Sequence, residues 1–199
     1  MAKVKTKTAY HHGDLRQQLV AATRALVEAK GPDLFSVSEA CRAAGVSTAA
    51  PYKHFADRTE MLVAVAMEGF GEMAEASIAA VSKHPPGSDE AISAMGVVYV
   101  EYADANPGVF KMMFAGDHQT DDLEEAGHGC YGVVLHQVAA RMGKTEIDDA
   151  VMRTAFPLWT FVHGLAFLRI DGKAEFAKVD TDLEDLVAMA TRQLLAVPS

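Results

Sequence analysis

The sequence has few cysteines and no long uninterrupted apolar run. Only two cysteines occur in 199 residues, too few for a disulfide scaffold, so a reducing compartment is expected. The longest apolar stretch, residues 155–170, contains Pro157, His163 and Arg169 and is short for a membrane span. The start, MAKVKTKTAYHHGDLR, has no apolar region of a secretory signal. We therefore expect a cytoplasmic protein that has no membrane partner.

The sequence also lacks the alternating β-branched runs that mark strands. Apolar residues instead recur three and four positions apart, which is the spacing of a helix face. The first such stripe runs from Leu15 to Leu26 and ends at Gly31-Pro32, a pair that stops a helix. The sequence therefore predicts an all-α fold.

Capping signals predict where several helices begin. Ser36 and Glu39 have the spacing of a capping box, in which each residue satisfies the other's backbone amide. Further helix starts are expected at Ser88, Thr120, Thr145 and Thr181.

Charge is unevenly distributed along the chain. The net charge is −9, but residues 1–60 hold nine Lys/Arg against six Asp/Glu, a net +3, and the remainder is −12. We expect a polyanion to bind the N-terminal part, where Lys3, Lys5 and Lys7 form a basic arm. Ordinary charge fluctuation is the alternative explanation.

Residues 37–55, VSEACRAAGVSTAAPYKHF, have the pattern of two short helices joined by a tight turn at Gly45. Cys41, four residues before the glycine, is small enough for the helices to cross closely. The second helix, expected from Ser47 to Phe55, has a polar, aromatic and basic face that suits a major-groove reader. A helical hairpin in a core is the alternative, although this second helix is too polar for a core.

Three segments carry a family resemblance. YHHGDLRQQLVAATRALVEAKG, AGVSTAAPYKHF and DRTEMLVAV, within roughly residues 10–68, resemble the tetracycline-repressor (TetR) family. WTFVHG, from Trp159 to Gly164, is similar to a Trp–His–Gly motif in the C-terminal domain of one TetR branch. The resemblance implies a homodimer, a palindromic double-stranded DNA operator, and repression relieved by a small-molecule effector.

The resemblance also implies how the chain is divided. Residues 1–58 are expected to form a three-helix DNA-binding domain with a helix-turn-helix. Residues 59–199 are expected to form a larger helical bundle for ligand binding and dimerisation. The residues that fall on the family's DNA-facing, backbone-contacting or phosphate-proximal positions are Ser36, Val37, Ser47, Thr48, Tyr52, Lys53, His54 and Arg58.

Pro51 departs from the family pattern, which has leucine or isoleucine at this position. Proline lacks an amide hydrogen and is tolerated only in the first turn of a helix. We therefore expect the recognition helix to begin one or two residues late, which changes the role of Thr48. Cys41 also departs from the usual alanine, but both side chains are small.

The C-terminal part is rich in methionine and aromatic residues, as a core or an apolar ligand pocket would be. Trp159 and His163 are four residues apart and share a helix face, while Pro157 is expected to kink that helix and Gly164 to admit a neighbouring helix. One hypothesis places these two side chains in an effector cavity; the alternative is that they only pack in the core or at a dimer interface. The predicted cavity residues are Phe70, Tyr99, Tyr102, Met113, Trp159 and His163.

The sequence does not contain the motifs that metal binding or catalysis would need. The histidines at 118, 128, 136 and 163, together with Cys130, match no tight metal-ligand spacing, so no metal or other cofactor is expected. No nucleophile elbow, phosphate-binding loop or HExxH motif is present, so catalysis is not expected and no catalytic residue is assigned. A constitutive DNA binder without a ligand remains an alternative, and the sequence leaves repressor and activator open.

Overall fold

The computed structural model of the protein describes residues 12–115, 120–173 and 182–196, with side chains in the first helix described from Leu15 onward. Within these residues the chain forms α-helices and two single-turn 3-10 helices and contains no strand, which confirms the all-α prediction. The α-helices are α1 (His12–Lys30), α2 (Val37–Ala43), α3 (Arg58–Val81), α4 (Asp89–Ala105), α5 (Pro107–Met113), α6 (Asp121–Arg141), α7 (Asp149–Ile170) and α8 (Leu183–Leu195).

The chain divides into two compact units, with the boundary between Val65 and Ala66. The boundary lies inside α3, whereas the sequence suggested a division after Arg58. The difference has a structural reason: Met61, Leu62 and Val65 at the start of α3 are fully buried apolar side chains. These first turns of α3 therefore count with the N-terminal unit.

In the first unit, the predicted caps are present. The amide of Gly31, at φ 84°, donates to the carbonyl of Val27 at 2.8 Å and closes α1. Ser36 and Glu39 form the predicted capping box at the start of α2. Lys30 donates to the Glu39 carboxylate at 2.6 Å and, with Ser36, holds the pKa of Glu39 at about 2. The end of α1 is thereby connected to the start of α2.

In the second unit, α4 packs against both α7 and α8, and α6 packs against α7. The start of α7 differs from the prediction. Asp148, rather than Thr145, is the N-cap, because its carboxylate accepts both the Ala150 and the Val151 amide. An ionised carboxylate at this position also interacts favourably with the helix dipole.

The last helix begins after Asp182, whose carboxylate accepts the amide of Glu184. The predicted cap, Thr181, lies outside the described residues. Among the residues that the structure describes, α7 alone is long and apolar enough for a membrane span by length and composition. It packs against α4, α6 and α8, and a helix in the body of a globular domain meets the same two criteria.

Candidate functional site

The tight turn predicted after α2 is present in the first unit. Gly45 has φ 69°, a left-handed conformation that glycine adopts without a steric penalty. The amide of Val46 donates to the carbonyl of Cys41 at 2.9 Å, and Cys41 is buried. The chain therefore reverses direction after α2, as the sequence predicts from the small Cys41 side chain and the glycine at position 45.

The segment after this turn is not the α-helix predicted from Ser47 to Phe55. It forms a turn followed by a 3-10 helix of one turn, Pro51–Lys53. The amide of Ala50 donates to the carbonyl of Ser47 at 3.0 Å, and the next residue, Pro51, has no amide to continue an α-helical pattern. The proline therefore delays helical structure by more than the sequence suggested.

This segment nevertheless presents a polar surface. Ser47, Thr48, Tyr52 and Lys53 are exposed, and the Tyr52 side chain is 64% exposed. On the opposite side, Phe55 is buried and anchors the segment to the core of the unit. A large aromatic residue that is exposed beside a lysine contributes little to the core.

His54 and Arg58 are less available than the sequence suggested. The Nε2 atom of His54 is buried and has no hydrogen-bond partner among the described residues. Arg58 is half-buried: its guanidinium lies over the Phe35 ring, 4.8 Å from the ring centroid, and donates to the carbonyls of Phe35 and Pro32. These contacts give Arg58 a structural role in addition to the phosphate contact predicted for it.

Ser36 and Val37, at the start of α2, are half-buried. The Ser36 hydroxyl lies 2.8 Å from the Glu39 carboxylate and also accepts the Glu39 amide. A contact between Ser36 and DNA would therefore be made at the start of α2, whose geometry the capping box already fixes. The basic arm, Lys3 to Lys7, lies outside the described residues.

A cavity of about 480 Å³ lies in the second unit and is lined by α3 to α8. Its wall is mostly apolar and includes six aromatic side chains. Two buried hydroxyl residues, Ser77 and Thr191, also line it. This volume and composition are typical of a small-molecule site. The aromatic lining residues are Phe70, Tyr99, Phe114, Tyr131, Trp159 and Phe161.

Four of the six predicted cavity residues, namely Phe70, Tyr99, Met113 and Trp159, line this cavity, and two do not. Tyr102 lies outside it because its hydroxyl donates to the carboxylate of Glu72 at 3.1 Å. His163 lies behind the wall, where its ring stands 4.8 Å from that of Phe114 between centroids. The structure therefore places His163 beside the cavity wall and not among the residues that line it.

Trp159, Tyr99 and His163 form a chain of hydrogen bonds. The Trp159 indole N–H donates to the Tyr99 hydroxyl at 3.3 Å, and this hydroxyl lies 2.7 Å from the Nδ1 atom of His163. Burial lowers the pKa of His163, which favours the neutral ring. In the neutral ring, an unprotonated Nδ1 can accept a hydrogen bond from the Tyr99 hydroxyl. His163 thus orients a hydroxyl in the cavity wall.

Replacing Tyr99 by phenylalanine should destabilise the protein by about 1–2 kcal/mol, because the half-buried Trp159 N–H and His163 Nδ1 lose their shared partner. The free energy of unfolding, measured by chemical denaturation, checks this. Tyr131→Phe, which removes a hydroxyl from the same wall outside this chain, is the matched control. Equal stability of the two variants would show that the hydrogen-bond chain contributes nothing.

The sequence did not identify the contribution of α6 to the wall. Glu124, Gly127, His128 and Tyr131 line the cavity and follow the i, i+3, i+4, i+7 spacing of one helix face. That spacing was a usable signal, but the polar and glycine-rich composition hid it. Cys130 also lines the cavity, and burial raises the pKa of its thiol to about 11.

The histidines that could bind a metal have other neighbours. His128 lies 3.9 Å from the Glu124 carboxylate, and His136 contacts the carbonyl of Gly132. Within residues 12–115, 120–173 and 182–196, no three histidine, cysteine, aspartate or glutamate side chains come together as a metal site. His118 lies outside those residues.

Pro157 and Gly164 both lie within α7. The helix is continuous from Asp149 to Ile170 and contains Pro157 within it. Gly164 was expected to admit a neighbouring helix, but in the described part of the chain no other helix has an atom within 4 Å of where its Cβ would be. Gly164 instead lies on an exposed face of α7.

Comparisons with families of known proteins match both units. Residues 92–194 match the family described as the tetracyclin repressor-like C-terminal domain. Residues 19–65 match the family described as bacterial regulatory proteins of the tetR family. A comparison with curated proteins finds no match.

Solved structures share the fold over nearly the whole chain. A protein of unknown function from Rhodococcus sp. RHA1 is 29% identical, with a TM-score of 0.77 over 94% of this chain and 97% of that one. A tetR-family regulator from Streptomyces coelicolor is 16% identical, with a TM-score of 0.73 over 94% and 81%. The regulator FadR from Bacillus subtilis, solved with stearoyl-CoA, is 14% identical, with a TM-score of 0.66 over 90% and 97%.

Proposed function

The chain belongs to the tetracycline-repressor family, whose members are DNA-binding regulators rather than enzymes, and we propose that it is a ligand-responsive repressor. In this proposal a homodimer binds a palindromic operator in the cytoplasm. A small apolar or aromatic effector enters the cavity and releases the DNA. The observation that supports this best is the cavity of about 480 Å³ in the unit that follows the helix-turn-helix. A constitutive DNA binder would have no use for such a cavity.

We assign DNA reading to the exposed surface after α2. Thr48, Tyr52 and Lys53 lie on it and offer hydroxyl, aromatic and ammonium groups to base edges and phosphates. Ser47 and the start of α2 at Ser36 and Val37 supply backbone contacts in this proposal. His54 and Arg58 complete the proposed surface, and both also have the internal contacts described above.

The same helix, α3, contributes to both units. Its first turns bury Met61 and Leu62 in the DNA-binding unit, and Phe70 and Met73 further along line the cavity. An effector that displaces Phe70 therefore acts on the helix that carries part of the DNA-binding core. We propose that α3 transmits effector binding to the DNA-reading surface.

Dimerisation is assigned to α7 and α8. On α7, Met152 and Phe156 are four residues apart, share one face and are 45% and 57% exposed, and Leu168, further along the helix, is 48% exposed. On α8, Met189 is 44% exposed. Such an apolar face is typical of a surface that a second copy covers.

The effector part of the proposal is tested through Trp159, the one tryptophan of the chain. Because its ring lines the cavity, an apolar or aromatic compound that binds there should quench or shift its emission. The same concentrations should release a fluorescently labelled operator in an anisotropy titration. A compound that releases DNA with unchanged Trp159 emission, and with unchanged affinity in Trp159→Phe and His163→Ala, would place the effector elsewhere.

A further inference from the structure

The wall of the cavity is asymmetric in its charge. Among the described residues that line it, no lysine or arginine is present, whereas Glu124 contributes a carboxylate. The Glu124 side chain is 65% exposed, which places the carboxylate at the solvent-facing end of the wall. His128, one helical turn later, lies 3.9 Å from it. The described part of the cavity wall thus has a carboxylate at its solvent-facing end and no lysine or arginine.

The surroundings of this end strengthen the same sign. Glu124 belongs to the first turn of α6 with Asp121 and Asp122, and the amide of Leu123 in this turn donates to the Thr120 hydroxyl. The partial positive charge at the start of α6 is therefore already balanced by the acidic residues of its first turn. Residues 61–199 carry a net charge of −12, which disfavours the approach of an anion and favours that of a cation.

Three basic residues of this unit pair with carboxylates that do not line the cavity. Lys111 pairs with Asp171, Arg169 with Asp104, and a further pair joins Arg141 to Asp89. Each of these cations is held by a carboxylate outside the cavity wall. A carboxylate or phosphate on a ligand would meet no lysine or arginine among the described lining residues.

The aromatic part of the wall suits a cation as well as an apolar body. Tyr131 follows Glu124 by seven residues on the same face of α6, and its ring lies 5.6 Å from that of Trp159 between centroids. Aromatic faces attract ammonium groups, and the attraction grows when the site is shielded from water. Tyr131 and Trp159 therefore extend the cation-favouring surface from Glu124 into the cavity.

We propose that the effector of this cavity is a lipophilic cation, with its ammonium group between Glu124 and the Tyr131 and Trp159 rings and its apolar part against Phe70 and Met73. This inference rests on the proposed function, because it names the class of molecule that the regulator senses. It makes the sign of the ligand charge, rather than its size, the main determinant of specificity.

The test uses three probes that share one chain and differ in charge: decyltrimethylammonium, decanol and decanoate. Each is titrated into the full-length protein, with Trp159 emission as the signal. The cation should bind at least about fivefold more tightly than the alcohol, since an exposed charge pair together with an aromatic contact is worth about 1 kcal/mol or more. Decanoate should bind more weakly than the alcohol.

Two variants on α6 assign the effect to one carboxylate. Glu124→Gln should reduce the ratio of cation affinity to alcohol affinity about fivefold, which is the loss of one such charge contact. Glu125→Gln removes the same charge one residue away, where the side chain does not line the cavity, and should leave the ratio unchanged. An equal drop in both variants would show a general field and overturn the assigned contact.

Other outcomes separate the two proposals. Tighter binding of decanoate than of the cation, or no binding of the cation, would overturn the lipophilic-cation class but leave a ligand-responsive regulator in place. Binding of the cation without release of DNA would support the charge preference of the cavity and count against the proposed function. The anisotropy titration with operator DNA distinguishes these cases.

Discussion

Replacing Tyr52 by alanine should abolish specific operator binding and leave the fold and the oligomeric state unchanged. The side chain is 64% exposed and lies beside the exposed Lys53, so its loss removes a surface contact and no core packing. A well-placed base contact is worth about 1–3 kcal/mol, and a dimer loses it twice. We expect the affinity to fall by about a hundredfold or more, as measured by anisotropy with labelled operator.

The control for Tyr52→Ala is Leu34→Ala. Leu34 is a comparably exposed apolar side chain, at 70%, in the connection between α1 and α2, and its loss should leave the affinity unchanged. Circular dichroism and thermal unfolding establish that both variants are folded. Wild-type affinity in Tyr52→Ala would show that the DNA-reading surface has been placed on the wrong residues.

Replacing Phe156 by glutamate should convert the proposed dimer into monomers. In the proposed interface this side chain, 57% exposed in the single chain, is covered by the partner. The substitution removes about 1.5–3 kcal/mol of apolar burial per copy and adds a buried charge with no partner. The dissociation constant should rise at least about a hundredfold, and light scattering coupled to size-exclusion chromatography would detect the monomer.

Ile78→Glu is the matched control for this substitution. Ile78 is also an exposed apolar side chain, at 55%, but it lies on α3 rather than on α7 or α8. The same charge at this position should leave the dimer intact. A dimeric Phe156→Glu variant, or dissociation caused by Ile78→Glu, would contradict the assignment of the interface to α7 and α8.

The sequence predicted local structure correctly where the stabilising interaction joins residues close together in the chain. The capping box of Ser36 and Glu39 depends on residues three apart, so the sequence contains the whole interaction. The left-handed turn at Gly45 is a similar case. At α7, however, the cap is Asp148 and not the predicted Thr145. Both residue types can cap a helix, and the Asp148 carboxylate accepts two backbone amides.

The direction in which a side chain points in the packed structure was harder to predict than its position on a helix. Trp159 and His163 share a helix face, as their spacing predicts, but only Trp159 reaches the cavity. His163 is held behind it by the hydroxyl of Tyr99, a residue 64 positions away in the chain. Likewise, the Tyr102 hydroxyl finds Glu72 on another helix. Such pairings depend on how helices pack, and the spacing of residues within one helix does not contain that information.

The segment after α2 shows the limit of a family pattern. The resemblance implied a recognition helix, and Pro51 was expected to shorten it. The chain forms only the 3-10 helix Pro51–Lys53, because proline leaves the Ser47 carbonyl to a tighter bond from Ala50. The exposed positions of Thr48 and Tyr52 are nevertheless those that the resemblance assigns to DNA contact.

A DNase I footprint on the DNA upstream of the protein's own reading frame tests the central claim most directly. The account predicts two protected half-sites related by two-fold symmetry, with centres about 34–36 Å apart or a multiple of that spacing. Protection should weaken steeply as salt rises, because phosphate contacts release counterions, and it should disappear when a compound that quenches Trp159 is added. Absence of any protected site, or an asymmetric site bound by a monomer, would contradict the account.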